Sequence, residues 1–335
     1  MTQPVIRTFD NPNCLLCGAP GKVIYTNLHD RLFGAPGAWT LKQCPAHGCG
    51  LIWPDPAPLG EDIGLAYKNY YTHAEPRGKL AGAVFGACSR LYWTAIRIPA
   101  GLSGLLAERR EFLTMFLRNL SPGRLLDVGC GDGEFLHRMS SLGWKGKGID
   151  FDDAAIVAGK AKYGLDLVTG DFQSARFSEA GFDAITMSHV IEHVPDPVGC
   201  LAKCRDLLRP GGRLVVSTPN SRGLGHAMFR EAWRGLEPPR HLHIFNPGLL
   251  AEVARRAGLT VVRTGSTAVN ADYILNATIA IASAPAGIGG VGGSWNIRYA
   301  PRSVALQYRE HFALRKNPEA GEEAFLVAER TRREA

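Results

Sequence analysis

Between Asp127 and Glu134 the chain reads Asp-Val-Gly-Cys-Gly-Asp-Gly-Glu, three glycines interleaved with three carboxylates. Gly129, Gly131 and Gly133 free the backbone to turn sharply and to approach a ligand closely. The dinucleotide fingerprint G-x-G-x-x-G needs a third small residue where this chain has Glu134, and a pyrophosphate seated there would meet Asp127, Asp132 and Glu134. Three carboxylates repel a phosphate. They suit a cofactor with a cationic end and no phosphate.

The elements that position these residues follow from the flanks. Leu125, Leu126 and Val128 suit a buried parallel strand, and Glu134 to Met139 restart a helical pattern, so the stretch is the strand, turn and helix of an α/β sheet. The segment D-V-G-C-G-D-G resembles the first motif of the class I S-adenosylmethionine-dependent methyltransferases, whose cofactor carries ammonium and sulfonium groups. The resemblance covers most of residues 121–270 and the last strand. It implies a Rossmann-like, doubly wound, mostly parallel seven-stranded sheet. Lys147-Gly148-Ile149-Asp150 is a second short strand ending in an acid, twenty-three positions beyond Asp127, where a carboxylate can accept both ribose hydroxyls; Phe151 stands beside it. By resemblance Asp171 meets the adenine amino group and Phe172 flanks the ring. Ser188 ends the following strand near the cofactor. Leu208 to Asn220 matches the R-P-G-G turn and T-P-N strand end of the same enzymes. Leu259 to Thr264 makes a sixth strand, and Glu323 to Arg330 a last one, antiparallel by family analogy.

Cysteines supply a second chemistry. Cys14-x-x-Cys17-Gly18 and Cys44-Pro-Ala-His47-Gly-Cys49-Gly50 are two knuckles of the kind a tetrahedral zinc site requires. Cys14, Cys17 and Cys49 are the clear candidates, with Cys44 favoured as the fourth because sets of four thiolates are common in ribbons, and His47 close enough to compete. A structural zinc ribbon is therefore expected over 1–58, followed by a helical linker or cap over 59–120 and the cofactor-binding domain over 121–335. Tyr67, Tyr70 and Tyr71 resemble the Y-x-x-Y-Y segment that follows zinc ribbons in some bacterial methyltransferases of glycan and secondary-metabolite pathways. Such tyrosines wall a substrate pocket or pack the ribbon against the main domain. Leu80 to Leu120 is helical in two pieces, the first apolar with Arg90 and Arg97 on one face: a buried cap helix, or an interfacial membrane helix.

Histidines supply the third. His189, Glu192 and His193 follow a strand end and fall near the cofactor. They partly resemble a metal-binding E-x-x-E-H segment of ubiquinone-pathway O-methyltransferases, but a histidine replaces the first acid, which weighs against a catalytic divalent metal. An insertion over 221–246, rich in Trp233, Arg240, His241, His243 and Phe245, is too long for an idle connection. It is expected to be a substrate lid in which His241 or His243 acts as general base and Arg234 or Arg240 clamps an anionic substrate; a hydrogen-bonding role is the alternative for each histidine. Catalytic candidates are thus His189, His193, His241 and His243. A second insertion spans 271–320, and within it Tyr273 to Ile297 holds no charged residue. Pro285 and the glycines from Gly287 to Gly293 oppose a membrane span there, leaving a helix-loop flap that touches membrane or substrate. Cys200 and Cys204, one helical turn apart, belong in the core.

At 335 residues, 45% hydrophobic and 21% charged, the chain has room for one large domain and a small one. A net charge of +7 permits an acidic partner without choosing it. The opening residues lack a secretory pattern, so a cytoplasmic location is expected, with peripheral membrane contact as an addition. The expected activity is methyl transfer from S-adenosylmethionine to a small-molecule or glycan-precursor acceptor, free or lipid-linked, with the oxygen, carbon or nitrogen acceptor atom open. A zinc-ribbon RNA methyltransferase and a non-catalytic cofactor-binding scaffold are the alternatives. The missing N-P-P-Y tetrad and the lack of a concentrated basic stripe weigh against nucleic acid.

Overall fold

The computed structural model describes residues 5–67, 100–177, 181–284 and 295–332. In the N-terminal unit, β1 (Thr8–Phe9) pairs with β5 (Ala57–Pro58), and β2 (Lys22–Leu28), β3 (Trp39–Gln43) and β4 (Ile52–Pro54) form an antiparallel sheet. The later strands are β6 (Arg124–Val128), β7 (Lys145–Asp150), β8 (Asp166–Thr169), β9 (Phe182–Ser188), β10 (Leu208–Pro219), β11 (Thr260–Thr267) and β12 (Glu323–Glu329). They build one seven-stranded sheet in the order β11-β12-β10-β9-β6-β7-β8. Its pairings are parallel except those of β12, which runs antiparallel to β10 and β11. The doubly wound sheet and its antiparallel last strand are those expected from the sequence.

Alternation along the central strands sends side chains to two covered faces. Leu126, Val128, Ile185, Met187, Leu214 and Val216 enter one apolar cluster, while Leu125, Ala184 and Val215 enter another on the opposite face. The first face is covered by α4 (Pro197–Leu207) and α6 (Pro247–Arg256), with the short α5 (Leu224–Phe229) between them in sequence, and the second by α1 (Leu105–Leu113), α2 (Glu134–Ser140) and α3 (Asp153–Tyr163). Cys200 and Cys204 are 1% and 0% exposed, as their spacing suggests. Side chains cap three of these helices: Asp152 accepts from Ala154 and Ala155, Asp196 from Gly199, and Asn246 from Leu249. The chain runs outward from β6 to β8, then returns to lay β9 on the other side of β6. Open α/β sheets hold ligands outside the strands' carboxyl ends at such a reversal.

Two expectations change. Residues 100–120 form no separate cap: Leu105, Phe112, Met115 and Leu117 pack with Leu125, Leu136 and Trp144 under the second face of the sheet, beside α2 and α3. The charge-free stretch after Tyr273 begins as a buried helix, α7 (Ala271–Ser283), not a flap. Leu275 and Ile279 pack with Leu306 of α8 (Ala300–Ala313), and Ala277 and Ile281 pack with Leu32 and Phe33. Tyr70, Tyr71, the Leu80 to Ile98 segment and Pro285 to Gly293 lie outside the described residues. Among the described residues no helix is long and apolar enough to cross a membrane.

The N-terminal unit shares the main core. Cys14, Leu16, Cys44, Leu51 and Trp53 join the cluster that contains Val128, Ile149 and Phe172, Ile52 pairs with Ile244, and Asn246 donates to the Cys49 carbonyl at 3.0 Å.

Candidate active site

The carboxyl ends of β6, β7, β8 and β9 surround a cavity of about 350 Å³. Gly129 and Gly131 line it with φ of 73° and 52°. A Cβ on Gly129 would come within 2.3 Å of Val190, while the space beside Gly131 is open. The turn thus brings bare backbone to the ligand. Gly133 serves the start of α2 and, with Asp127 and Ser188, stands outside the lining.

Asp150 ends β7 in the wall, accepting from the Gly131 amide at 2.8 Å and the Asp152 amide at 2.9 Å. Burial raises its carboxyl above the usual range although these bonds oppose the shift. Phe151, Asp171 and Phe172 continue the wall. Burial works to raise Asp171, but amides of Gln173 and Ser174 at 3.1 and 3.0 Å outweigh it and hold the carboxyl below its usual range. Asp127 lies behind, 5% exposed, accepting from Thr186 Oγ1 at 2.7 Å. Burial pushes it up to about 7; the Thr186 bond opposes that and the charge of Asp150 adds to it. Ile149, Phe172 and Cys200 supply apolar surface, and the described lining contains no lysine or arginine.

His189, Val190 and His193 form the facing wall with Tyr67 of the N-terminal unit. The two histidines differ. His189, at φ 55°, sets Nε2 2.7 Å from Glu323 and Nδ1 3.3 Å from Glu192, both carboxylates fully buried, and keeps 37% of its own side chain accessible. Burial alone would lower the imidazole, yet the bonds and charge of Glu192 and Glu323 push it up to about 10. Burial would likewise raise Glu192, but His189 and His193 hold it at about 2. His189 is therefore an imidazolium at neutral pH and has no lone pair with which to take a proton. His193 places Nδ1 2.9 Å from the Arg240 carbonyl and 3.2 Å from the Tyr67 hydroxyl. A carbonyl only accepts, so a proton sits on Nδ1, and in the neutral ring the lone pair is then on Nε2.

His241 and His243 are 5% and 6% exposed and stand behind the wall instead of on it. The expected lid is fixed here: the Glu192 carbonyl accepts from the amides of Leu242 and His243, and Ile244 is paired to Ile52. His241 Nδ1 bonds the Gly235 carbonyl at 2.8 Å and His243 Nε2 the Pro195 carbonyl at 3.4 Å. Burial lowers both to about 4. Neither reaches an acceptor in this cavity. Glu192, His193 and His241 do bring one ligand-type atom each within 4.8 Å, but Glu192 already holds Thr218 at 2.9 Å and the His189 ring. Of the two arginines expected as a substrate clamp, Arg240 is 0% exposed and bound to protein carboxylates, and Arg234 stands outside the lining, 4.0 Å from Glu237.

In the N-terminal unit, the sulfurs of Cys14, Cys17, Cys44 and Cys49 lie within 4.8 Å of one another and could hold a metal ion. Cys44, not His47, completes the group. Sequence reasoning missed Glu323 and Thr218, which brace His189 and Glu192; the only signal was an acid opening an apolar strand. It also missed Val190, whose methyl group closes on Gly129.

A family model described as a methyltransferase domain matches residues 102–264. A ubiquinone biosynthesis O-methyltransferase of Xanthomonas axonopodis pv. citri (strain 306) is 31% identical over 190 residues, 52% of this chain and 78% of that relative. One from Xanthomonas oryzae pv. oryzae (strain PXO99A) is 32% identical over 143 residues, 41% of this chain, and the chain spans only 59% of that relative's length. Among solved structures, a SAM dependent methyltransferase from Archaeoglobus fulgidus is similar at 20% identity and a TM-score of 0.44, covering 66% of this chain and 94% of that one. The sheet order, the glycine turn and the relatives agree, and the chain belongs to the class I S-adenosylmethionine-dependent methyltransferase family.

Proposed function

We propose that the cavity binds S-adenosylmethionine and that the chain methylates a small-molecule acceptor, with a hydroxyl as the group the site serves best. The observation that carries this reading is the wall of Asp150, Asp152 and Asp171 with no lysine or arginine among the described lining residues. Such a wall disfavours a phosphate-bearing cofactor and favours a cationic one. When bound, S-adenosylmethionine supplies a methyl group on a positively charged sulfur. Asp150 takes the ribose hydroxyls, Asp171 and Phe172 the adenine, and the backbone at Gly129 and Gly131 the amino-acid end. Asp127 adds negative charge from behind.

Alignment of acceptor and methyl group and exclusion of water account for most of the catalysis in such a displacement. A hydroxyl must also lose its proton, and His193 Nε2 is the lone pair available on the wall to receive it. His189 does not compete, being protonated already. The likeness to ubiquinone biosynthesis O-methyltransferases supports a hydroxyl; a glycan precursor, free or lipid-linked, falls within that class. The four cysteines hold a structural zinc ion, since a set of four thiolates suits tetrahedral zinc. One equivalent of zinc per chain is expected, and Cys44→Ser should lower both zinc content and melting temperature; zinc-free wild type with an unchanged melt would remove the metal from the account.

Calorimetry with S-adenosylmethionine tests the cofactor. Asp150→Ala removes the acceptor of two backbone amides and the ribose contact together, and affinity should fall by about a hundredfold. Undiminished affinity would sink the assignment. Incubation with labelled methyl donor and fractionated cell extract then identifies the acceptor.

A further inference from the structure

We propose that Arg240 is a positioning residue for the cavity: it seats Tyr67 on the wall and holds His193 in the tautomer that leaves Nε2 free. The inference takes the cavity as the cofactor site proposed above, but its first readout does not depend on methyl transfer.

Arg240 is fully buried and its fork reaches three segments of chain. Nη1 donates to Asp30 Oδ2 at 2.9 Å and to the Ala66 carbonyl at 2.8 Å, next to Tyr67. Nε donates to Glu237 Oε1 at 3.0 Å, and the guanidinium lies 4.8 Å from the centre of the Phe33 ring. The Asp30 carboxylate in turn accepts from the amides of Leu32, Phe33 and Ala35. Asp30 and Ala66 belong to the N-terminal unit, Glu237 to the insertion. Meanwhile the carbonyl of Arg240 accepts from His193 Nδ1. One residue therefore touches both sides of the contact between Tyr67 and His193, through its side chain on one and its backbone on the other.

The consequence reaches the cavity. Tyr67 stands edge-on to Phe151, centroids 5.3 Å apart, and both rings line the space. Apolar side chains would bury this region at lower desolvation cost than a buried ion pair, which stabilises little by itself. A planar fork does what apolar packing cannot: it fixes the direction of several acceptors at once.

Arg240→Lys keeps the charge and removes the fork. In protein with ¹⁵N-labelled histidine, long-range nitrogen–proton correlation spectra distinguish the two ring tautomers. Wild type should show His193, assigned by its loss in His193→Gln, protonated at Nδ1; Arg240→Lys should show a shift toward the Nε2-protonated form. Calorimetry with S-adenosylhomocysteine should give about a tenfold loss of affinity for Arg240→Lys and for Tyr67→Ala, and no further loss in the double variant, because both act through one ring. Should Arg240→Lys fail to fold, Glu237→Gln releases one arm of the fork and should move the same two readouts in the same directions by less. An unchanged tautomer, or losses that add in the double variant, overturns the inference. Wild type that binds no S-adenosylhomocysteine overturns the cofactor reading instead, and the tautomer measurement still decides the role of Arg240.

Discussion

On the strand-end wall, Asp150, Asp152 and Asp171 face the cavity with no lysine or arginine among the described lining residues, and Asp127 lies uncompensated behind them. Across the cavity the acids are as numerous, but each has a cationic partner: Glu192 and Glu323 share His189, while Asp30 and Glu237 share Arg240, with Arg234 4.0 Å from Glu237. Asp127 and Asp150 register the difference, while Asp171, which burial would raise, is held low by amide bonds and the charge of Lys203. Asp127 is raised to about 7, whereas Glu192 and Glu237 are held at about 2. Unbalanced charge on one wall is a binding device that awaits a cation. Balanced charge on the other is a framework, and its chemistry is left to the nitrogen that no carboxylate occupies.

The largest test of that division compares two histidines four residues apart. His193→Gln should lower methyl transfer by about 10²- to 10⁴-fold, the range for loss of a general base, with S-adenosylmethionine affinity nearly unchanged. His189→Gln should leave the base in place and act on stability, at a cost on the order of 1–3 kcal/mol; this is less than for a fully enclosed pair because solvent reaches the ring. Single-turnover rates and urea denaturation on both variants separate the effects. A rate loss in His189→Gln exceeding that in His193→Gln would make the neutral and charged roles assigned here wrong.

How far these roles were legible in the sequence follows the same division. The strand-end wall is local: a strand, its glycine turn and the acid at the next strand end fall within one βαβ stretch, so Gly129, Gly131 and Asp150 could be placed from spacing, and Phe172 followed from the family resemblance. The facing wall of Tyr67 and residues 189–195 is backed by residues 237–241 and Glu323, segments remote in sequence whose meeting depends on packing. Four histidines looked alike as candidates because histidine chemistry is set by neighbours. Only the fold reveals that two are buried on carbonyls, one is clasped by acids and one keeps a lone pair. The insertion over 221–246 follows the same rule: its meeting with the N-terminal unit, where Ile244 pairs with Ile52, depends on packing between segments remote in sequence.

A second test uses pH. Asp127 binds its proton more tightly folded than unfolded, so the cofactor-free protein should lose stability as pH rises from about 4, the ordinary aspartate value, through about 7. A bound cation favours the ionised acid. Affinity for S-adenosylmethionine should therefore rise with pH by up to about tenfold per unit below pH 7 and level off above it, with a proton released on binding. Calorimetry in buffers of different ionisation heat measures that proton. A flat affinity from about pH 6 to about pH 8 would detach Asp127 from the cofactor site and leave the strand-end wall less distinct from its neighbour.

The smallest effect gives the sharpest contrast, because the same substitution can be made on both sides. Thr186 Oγ1 donates to Asp127 at 2.7 Å and Thr218 Oγ1 to Glu192 at 2.9 Å, and all four residues are buried. Replacing either threonine with valine keeps the shape and removes one hydrogen bond to an acid, worth about 1–2 kcal/mol when the acid is ionised. Glu192, held at about 2, is ionised throughout the neutral range, so the cost of Thr218→Val should not change between about pH 6 and about pH 8. Asp127 titrates inside that range. Loss of the Thr186 hydroxyl removes support from the charged form alone, and the cost of Thr186→Val should grow as pH rises, accompanied by weaker S-adenosylmethionine binding at the upper end. Urea denaturation of both variants at the two pH values measures the pair. Equal pH dependence would mean that Asp127 and Glu192 are in the same ionisation state, and the cavity would then have two framework walls and no charged wall to select its cofactor.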